Sequence, residues 1–118
     1  MLLAIDVGNT NTDIGLFAGD RLQISYRTQT DSRATADEIA LTVRGLLADD
    51  PPVTGVAVCS TVPAVLRELR EMLNRYYPDV PTVAVEPGVK TGVGVLTDNP
   101  KEVGSDRIMN TLAAHHLY

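Results

Sequence analysis

The chain has 118 residues, the size of one domain with one packed core. Hydrophobic residues make up 44% and charged residues 21%, which excludes a disordered tail, a collagen-like repeat or a disulfide scaffold. Ten basic residues stand against 15 acidic ones, and a net charge of −5 argues against nucleic acid as a partner. No apolar run reaches the roughly 18 residues that would span a bilayer, so no membrane partner is expected. Met1 opens directly on an apolar run with no basic segment before it, so no signal peptide is expected. The lone Cys59 has no internal disulfide partner, and with only two histidines (His115 and His116) the sequence does not suggest a structural zinc site.

Leu2–Val7 is a short apolar run that ends in Gly8-Asn9 and reads as a buried strand followed by a turn. Residues 12–18 read as a second strand. Gly19-Asp20 is a tight turn, and residues 22–27 alternate apolar with polar as a third strand. The period then changes. Thr35 and Glu38 have the spacing of a capping box, and Ile39, Val43, Leu46 and Leu47 follow at helical intervals until Asp49-Asp50-Pro51-Pro52 stops them. Gly55–Ser60 is a continuous apolar strand of the doubly covered kind.

Ser60 and Thr61 precede Pro63; they could donate to a ligand, but are read first as caps of the next helix. In that helix Val62, Leu66, Leu69 and Leu73 form the predicted apolar stripe, with Arg67, Glu68, Arg70 and Glu71 opposite. Tyr77-Pro78 ends it and residues 81–85 form a short strand. Residues 86–99 read as a Gly- and Pro-rich loop, with a short strand at 94–96. Asn99-Pro100-Lys101-Glu102 starts a third helix, which runs without a stop signal to Tyr118. The predicted order is βββαβαβα, an α/β arrangement that joins a meander to right-handed crossovers.

Two clusters carry candidate chemistry. Asp6, Val7, Gly8, Asn9, Thr10, Asn11, Thr12 and Asp13 place a carboxylate at the end of a buried strand, followed by a turn rich in hydroxyl and amide groups. Gly8, Asn9 and Asn11 tolerate positive φ, so successive N–H groups could converge on phosphate oxygens, with Asp6 near Mg²⁺. The plain alternative is a hairpin in which Asp6 caps the turn. The second cluster is Gly104, Ser105, Asp106 and Arg107, following Glu102. Asp106 could accept a hydroxyl proton and Arg107 could clamp a carboxylate or phosphate; the plain alternative is an exposed ion pair.

In order along the chain, Met1–Thr12, Thr35–Glu38, Ser60–Pro63, residues 87–92 and residues 98–107 resemble the type III pantothenate kinase family, also described as Bvg accessory factor-like. The likeness spans essentially the whole chain, and its first and last segments are the specific ones. It implies a ribonuclease H-like domain of the acetate kinase/Hsp70/actin ATPase type. The implied activity is ATP-dependent phosphorylation of pantothenate to 4'-phosphopantothenate, the first step of coenzyme A biosynthesis. Mg²⁺, a monovalent cation (K⁺ or NH₄⁺), a homodimer and a cytoplasmic location are implied as well.

Carried over, residues 6–13 are the phosphate loop with Asp6 as metal ligand. Thr97 and Gly104–Arg107 are substrate-binding, and Asp106 is the catalytic base. Thr97 stands where many members carry Tyr, so a hydroxyl is kept and a ring is lost. The family's second domain, with its further phosphate loop, cation ligand and adenosine wall, is not in these residues, so the 118-residue chain is expected to turn over little. The alternative function is a non-catalytic regulatory or interaction protein on the same fold; another kinase or phosphatase of that fold is a third.

Overall fold

A computed structural model describes residues 1–19 and 21–84. The elements are β1 (Leu2–Val7), β2 (Asn11–Ala18), β3 (Arg21–Gln29), α1 (Ala36–Leu46), β4 (Gly55–Ser60), α2 (Pro63–Tyr76) and β5 (Thr82–Ala84). The predicted order βββαβαβ therefore holds over the described residues. The predicted loop, the strand at 94–96 and the third helix lie outside them, as do Thr97, Gly104, Ser105, Asp106, Arg107, His115 and His116.

The five strands form one sheet in the order β3-β2-β1-β4-β5. β1–β2 and β2–β3 are antiparallel, whereas β1–β4 and β4–β5 are parallel. Short turns suffice for the antiparallel pairs; the parallel pairs need crossovers, and α1 and α2 supply them. Gly19 makes the β2–β3 turn with φ +62, a conformation that needs no side chain. β1 is central and buried at all six positions, which explains its unbroken apolar run.

The sheet has two unlike faces. Leu3, Ile5, Val7, Ile14, Leu16, Val56 and Val58 pack with the apolar sides of α1 and α2. Leu2, Ala4, Phe17, Ala57 and Cys59 form the other cluster. The helix faces differ from prediction by about one residue. α2 buries Val65, Leu69, Met72 and Leu73, while the predicted Val62 and Leu66 are only partly buried. α1 buries Ala36, Ala40 and Val43, with Leu47 just beyond its end, and Ile39 and Leu46 are partly buried. Small Ala36 and Ala40 let α1 approach closely, and the larger Met72 fills space from α2.

The capping box forms as read. The Thr35 side chain accepts from the Glu38 N–H at 3.3 Å, and the Glu38 carboxylate accepts from the Thr35 N–H at 3.0 Å. The predicted solvated role of Glu68 is corrected: its Oε1 accepts from the Ala36 N–H at 3.2 Å, so α2 caps the first turn of α1. At the same end of α1, Asp37 accepts from the Tyr76 hydroxyl at 2.8 Å and from Arg75 at 3.2 Å, both in the last turn of α2. The Arg44 guanidinium lies 5.3 Å from the Tyr76 ring centre.

Candidate phosphate-binding site

Asp6 and Ser60 are the buried polar residues among those described, each 7% exposed. Both stand at the C-terminal ends of parallel neighbours, where register pairs Asp6 with Cys59 and Val7 with Ser60. That end of an open α/β sheet is where backbone groups are released from the ladder and can meet a ligand. Asp6 shares the sheet face of Leu2 and Ala4, away from α1 and α2.

Register sets one row of side chains across this face. Arg27 pairs with Asp13, Asp13 with Asp6, and Asp6 with Cys59. Arg27 Nε donates to Asp13 Oδ1 at 2.8 Å. Asp13 is the more buried partner of this pair, 17% against 48% exposed, so the guanidinium lies over the solvent side of the row. A row of two carboxylates offers oxygen donors only. That donor set fits Mg²⁺, which takes one or two carboxylates and fills its remaining positions with water and phosphate oxygens.

The turn between β1 and β2 is closed by Gly8 N–H donating to Asn11 O at 2.9 Å. A Cβ at Gly8 would stand 3.2 Å from that same Asn11 oxygen, so the close approach favours glycine. The expectation of positive φ here is corrected: among the described residues only Gly19 has positive φ, and Asn9 and Asn11 do not. The turn reaches its shape through bracing by its neighbours. Thr30 N–H donates to Thr10 O at 2.9 Å, and the Thr12 and Thr30 hydroxyls are 2.8 Å apart. Asn9, Thr10 and Asn11 remain exposed, as groups that meet a ligand from solvent must.

The role predicted for Ser60 and Thr61 also changes. The N-cap of α2 is Val62, with no side-chain cap, and Pro63 occupies the first turn. Sequence reading missed the actual partners of these hydroxyls because they are backbone groups of β1 and of the junction itself. A cavity of about 240 Å³ lies on the helical face, lined by Ile5, Val7, Thr12, Thr30, Glu38 and Val43 among others, and Asp6 is not in its wall.

Among solved structures the chain is similar to a ROK family protein from Streptococcus pneumoniae, with TM-score 0.59 and 15% identity over 85% of this chain and 39% of that one. It is also similar to Thermus thermophilus RuvC, with TM-score 0.57 and 21% identity over 95% of this chain and 90% of that one. With the strand order above, these likenesses define the fold as a ribonuclease H-like α/β domain.

Within that class, a family model for type III pantothenate kinase matches residues 2–118. A type III pantothenate kinase from Parafrankia is 66% identical over the whole chain, which covers 46% of that relative. The chain therefore belongs to the type III pantothenate kinase family, and it spans about half the length of the curated relatives it matches.

Proposed function

We propose that the protein of which this chain is the N-terminal half transfers the γ-phosphoryl group of ATP to pantothenate, giving 4'-phosphopantothenate for coenzyme A biosynthesis. The observation that carries the reading is the family match along residues 2–118; the burial of Asp6 at the end of β1 supports it. Phosphoryl transfer asks a protein for positioning and charge neutralisation more than for covalent chemistry.

The described residues supply part of this. The exposed turn residues Asn9, Thr10 and Asn11 would offer backbone and side-chain donors to phosphate oxygens. Asp6 would hold Mg²⁺, with Asp13 beside it; the ion, when bound, neutralises phosphate charge. By resemblance, Asp106 takes the proton of the pantothenate hydroxyl, and Gly104, Ser105, Arg107 and Thr97 hold the substrate. A monovalent cation, a homodimer and a cytoplasmic location belong to the same reading. Among the described residues no helix is long and apolar enough to cross a membrane.

The test is a phosphorylation assay with ATP, Mg²⁺, K⁺ and pantothenate, run on the protein at its relatives' length and on the 118-residue chain. The long form is expected to make 4'-phosphopantothenate, and the short chain to show little turnover. An Asp106→Asn form that keeps full turnover would remove the assigned base. A long form with no turnover would favour the regulatory or interaction reading.

A further inference from the structure

The β4–α2 junction holds two hydroxyls, neither of which caps a first-turn N–H of α2: Ser60 bonds the N-cap residue Val62 itself, and Thr61 bonds the end of β1. Ser60 Oγ accepts from the Val62 N–H and donates to the Val62 carbonyl, both at 3.0 Å. These bonds close a three-residue turn at a buried position. The turn directs Thr61 back toward β1. Thr61 N–H donates to Val7 O at 3.0 Å, and Thr61 Oγ1 donates to the same oxygen at 3.4 Å.

Val7 O and Gly8 N–H belong to one peptide group, which is planar. Holding the oxygen therefore sets the direction of the N–H. That N–H closes the candidate phosphate turn by donating to Asn11 O at 2.9 Å. The first peptide of the turn is thus gripped at both ends, and Thr30 holds the far side at Thr10 O.

We propose that Ser60 and Thr61 are positioning residues of the phosphate turn: they fix the Val7–Gly8 peptide plane and so the donors offered to the nucleotide phosphates. The kinetic part rests on the kinase reading above; the geometric part does not. Thr61 acts by way of the Val7 carbonyl, and Ser60 by way of the turn that delivers Thr61.

The test uses Thr61→Val, Thr61→Ser and Ser60→Ala. Amide hydrogen exchange is read by NMR on the 118-residue chain. In Thr61→Val and Ser60→Ala the Gly8 amide is expected to exchange about fivefold faster, the loss of one hydrogen bond, while α2 amides are unchanged. Thr61→Ser, which keeps the hydroxyl, is expected to match the parent. In the protein at its relatives' length, Thr61→Val is expected to raise KM for ATP about fivefold, with kcat and KM for pantothenate within about twofold.

Unchanged Gly8 exchange in Thr61→Val overturns the proposal. So does faster exchange spread evenly through β1 and α2, or a serine form as impaired as the valine form. If Ser60→Ala does not fold, the two Thr61 variants decide. If the parent phosphorylates nothing, the kinase reading fails and the exchange experiment still decides the geometry.

Discussion

Asp6 and Asp13 are direct partners across the β1–β2 ladder, two carboxylates on one face of one sheet. Opposed side chains at such positions lie about 4.5–5.5 Å apart, and like charges there are destabilising. Arg27 offsets this at Asp13 through the 2.8 Å ion pair, which is half exposed and so contributes modestly. A divalent cation bound between the two carboxylates would turn this repulsion into attraction.

This separates stability from function in one substitution. Asp6→Asn removes a like charge without changing shape, so the melting temperature is expected to hold or rise. Turnover of the protein at its relatives' length is expected to fall by at least about 100-fold, since groups that merely orient a metal's ligands already cost about 10- to 100-fold. Thermal denaturation with and without Mg²⁺ and a phosphorylation assay read the two effects. Lost turnover accompanied by lost stability contradicts the metal-site assignment.

Two glycines are expected to respond in opposite directions. Gly19 has φ +62, so Gly19→Ala destabilises by about 1 kcal/mol through backbone strain, although nothing lies within 4 Å of the new Cβ. Gly45 lies within α1 and also has open space around its Cβ position. Gly45→Ala is expected to stabilise by up to about 0.5 kcal/mol, less than in a helix interior because Gly45 stands in the last turn of α1. Urea denaturation of both variants gives the comparison.

Burial separates two leucines in the same way. Leu69 is 1% exposed in the core under α2, whereas Leu41 is 77% exposed on α1. Leu69→Ala is expected to lose about 3 kcal/mol, and Leu41→Ala less than about 0.5 kcal/mol. Equal losses would mean that the helical layer is not seated as described.

Stability is expected to fall in alkali. Burial and the 3.0 Å hydrogen bond to Asp50 hold the Tyr26 phenol above its ordinary value of 10.0. The bond to Asp37, then burial, does the same for Tyr76, and burial does so for Tyr77. Above pH 10.0 the unfolded chain gives up these protons before the folded one does. The folded state then binds more protons, so its advantage is complete below that pH and is lost as pH rises through the folded values. Denaturation midpoints between about pH 8 and about pH 11 measure the slope, and Tyr76→Phe should flatten it.

What was legible in the sequence was local. The capping box needs only Thr35 and Glu38, and the order of elements along the chain follows from runs and turns that neighbours in the chain decide. Gly19 and Asp6 were visible for the same reason. The rest depended on distant partners. Glu68 reads as one more exposed charge until α2 lies beside α1. Thr61 reads as a helix cap because the competing acceptor, Val7 O, comes from a strand 54 positions earlier. The helix stripes were displaced because Val65, Met72 and Ala40 fit the shape of the sheet beneath them, which periodicity alone does not specify. The row from Arg27 to Cys59 exists only once register is set.

The bond from Glu68 to Ala36 gives α2 a second point of attachment. At its start, α2 is anchored through Thr61 to the last carbonyl of β1; one and a half turns along, it holds the first amide of α1. Sliding α2 along its axis would strain both anchors together. The candidate phosphate turn and the first turn of α1 are therefore tied to the same helix, so a shift of α2 would disturb both.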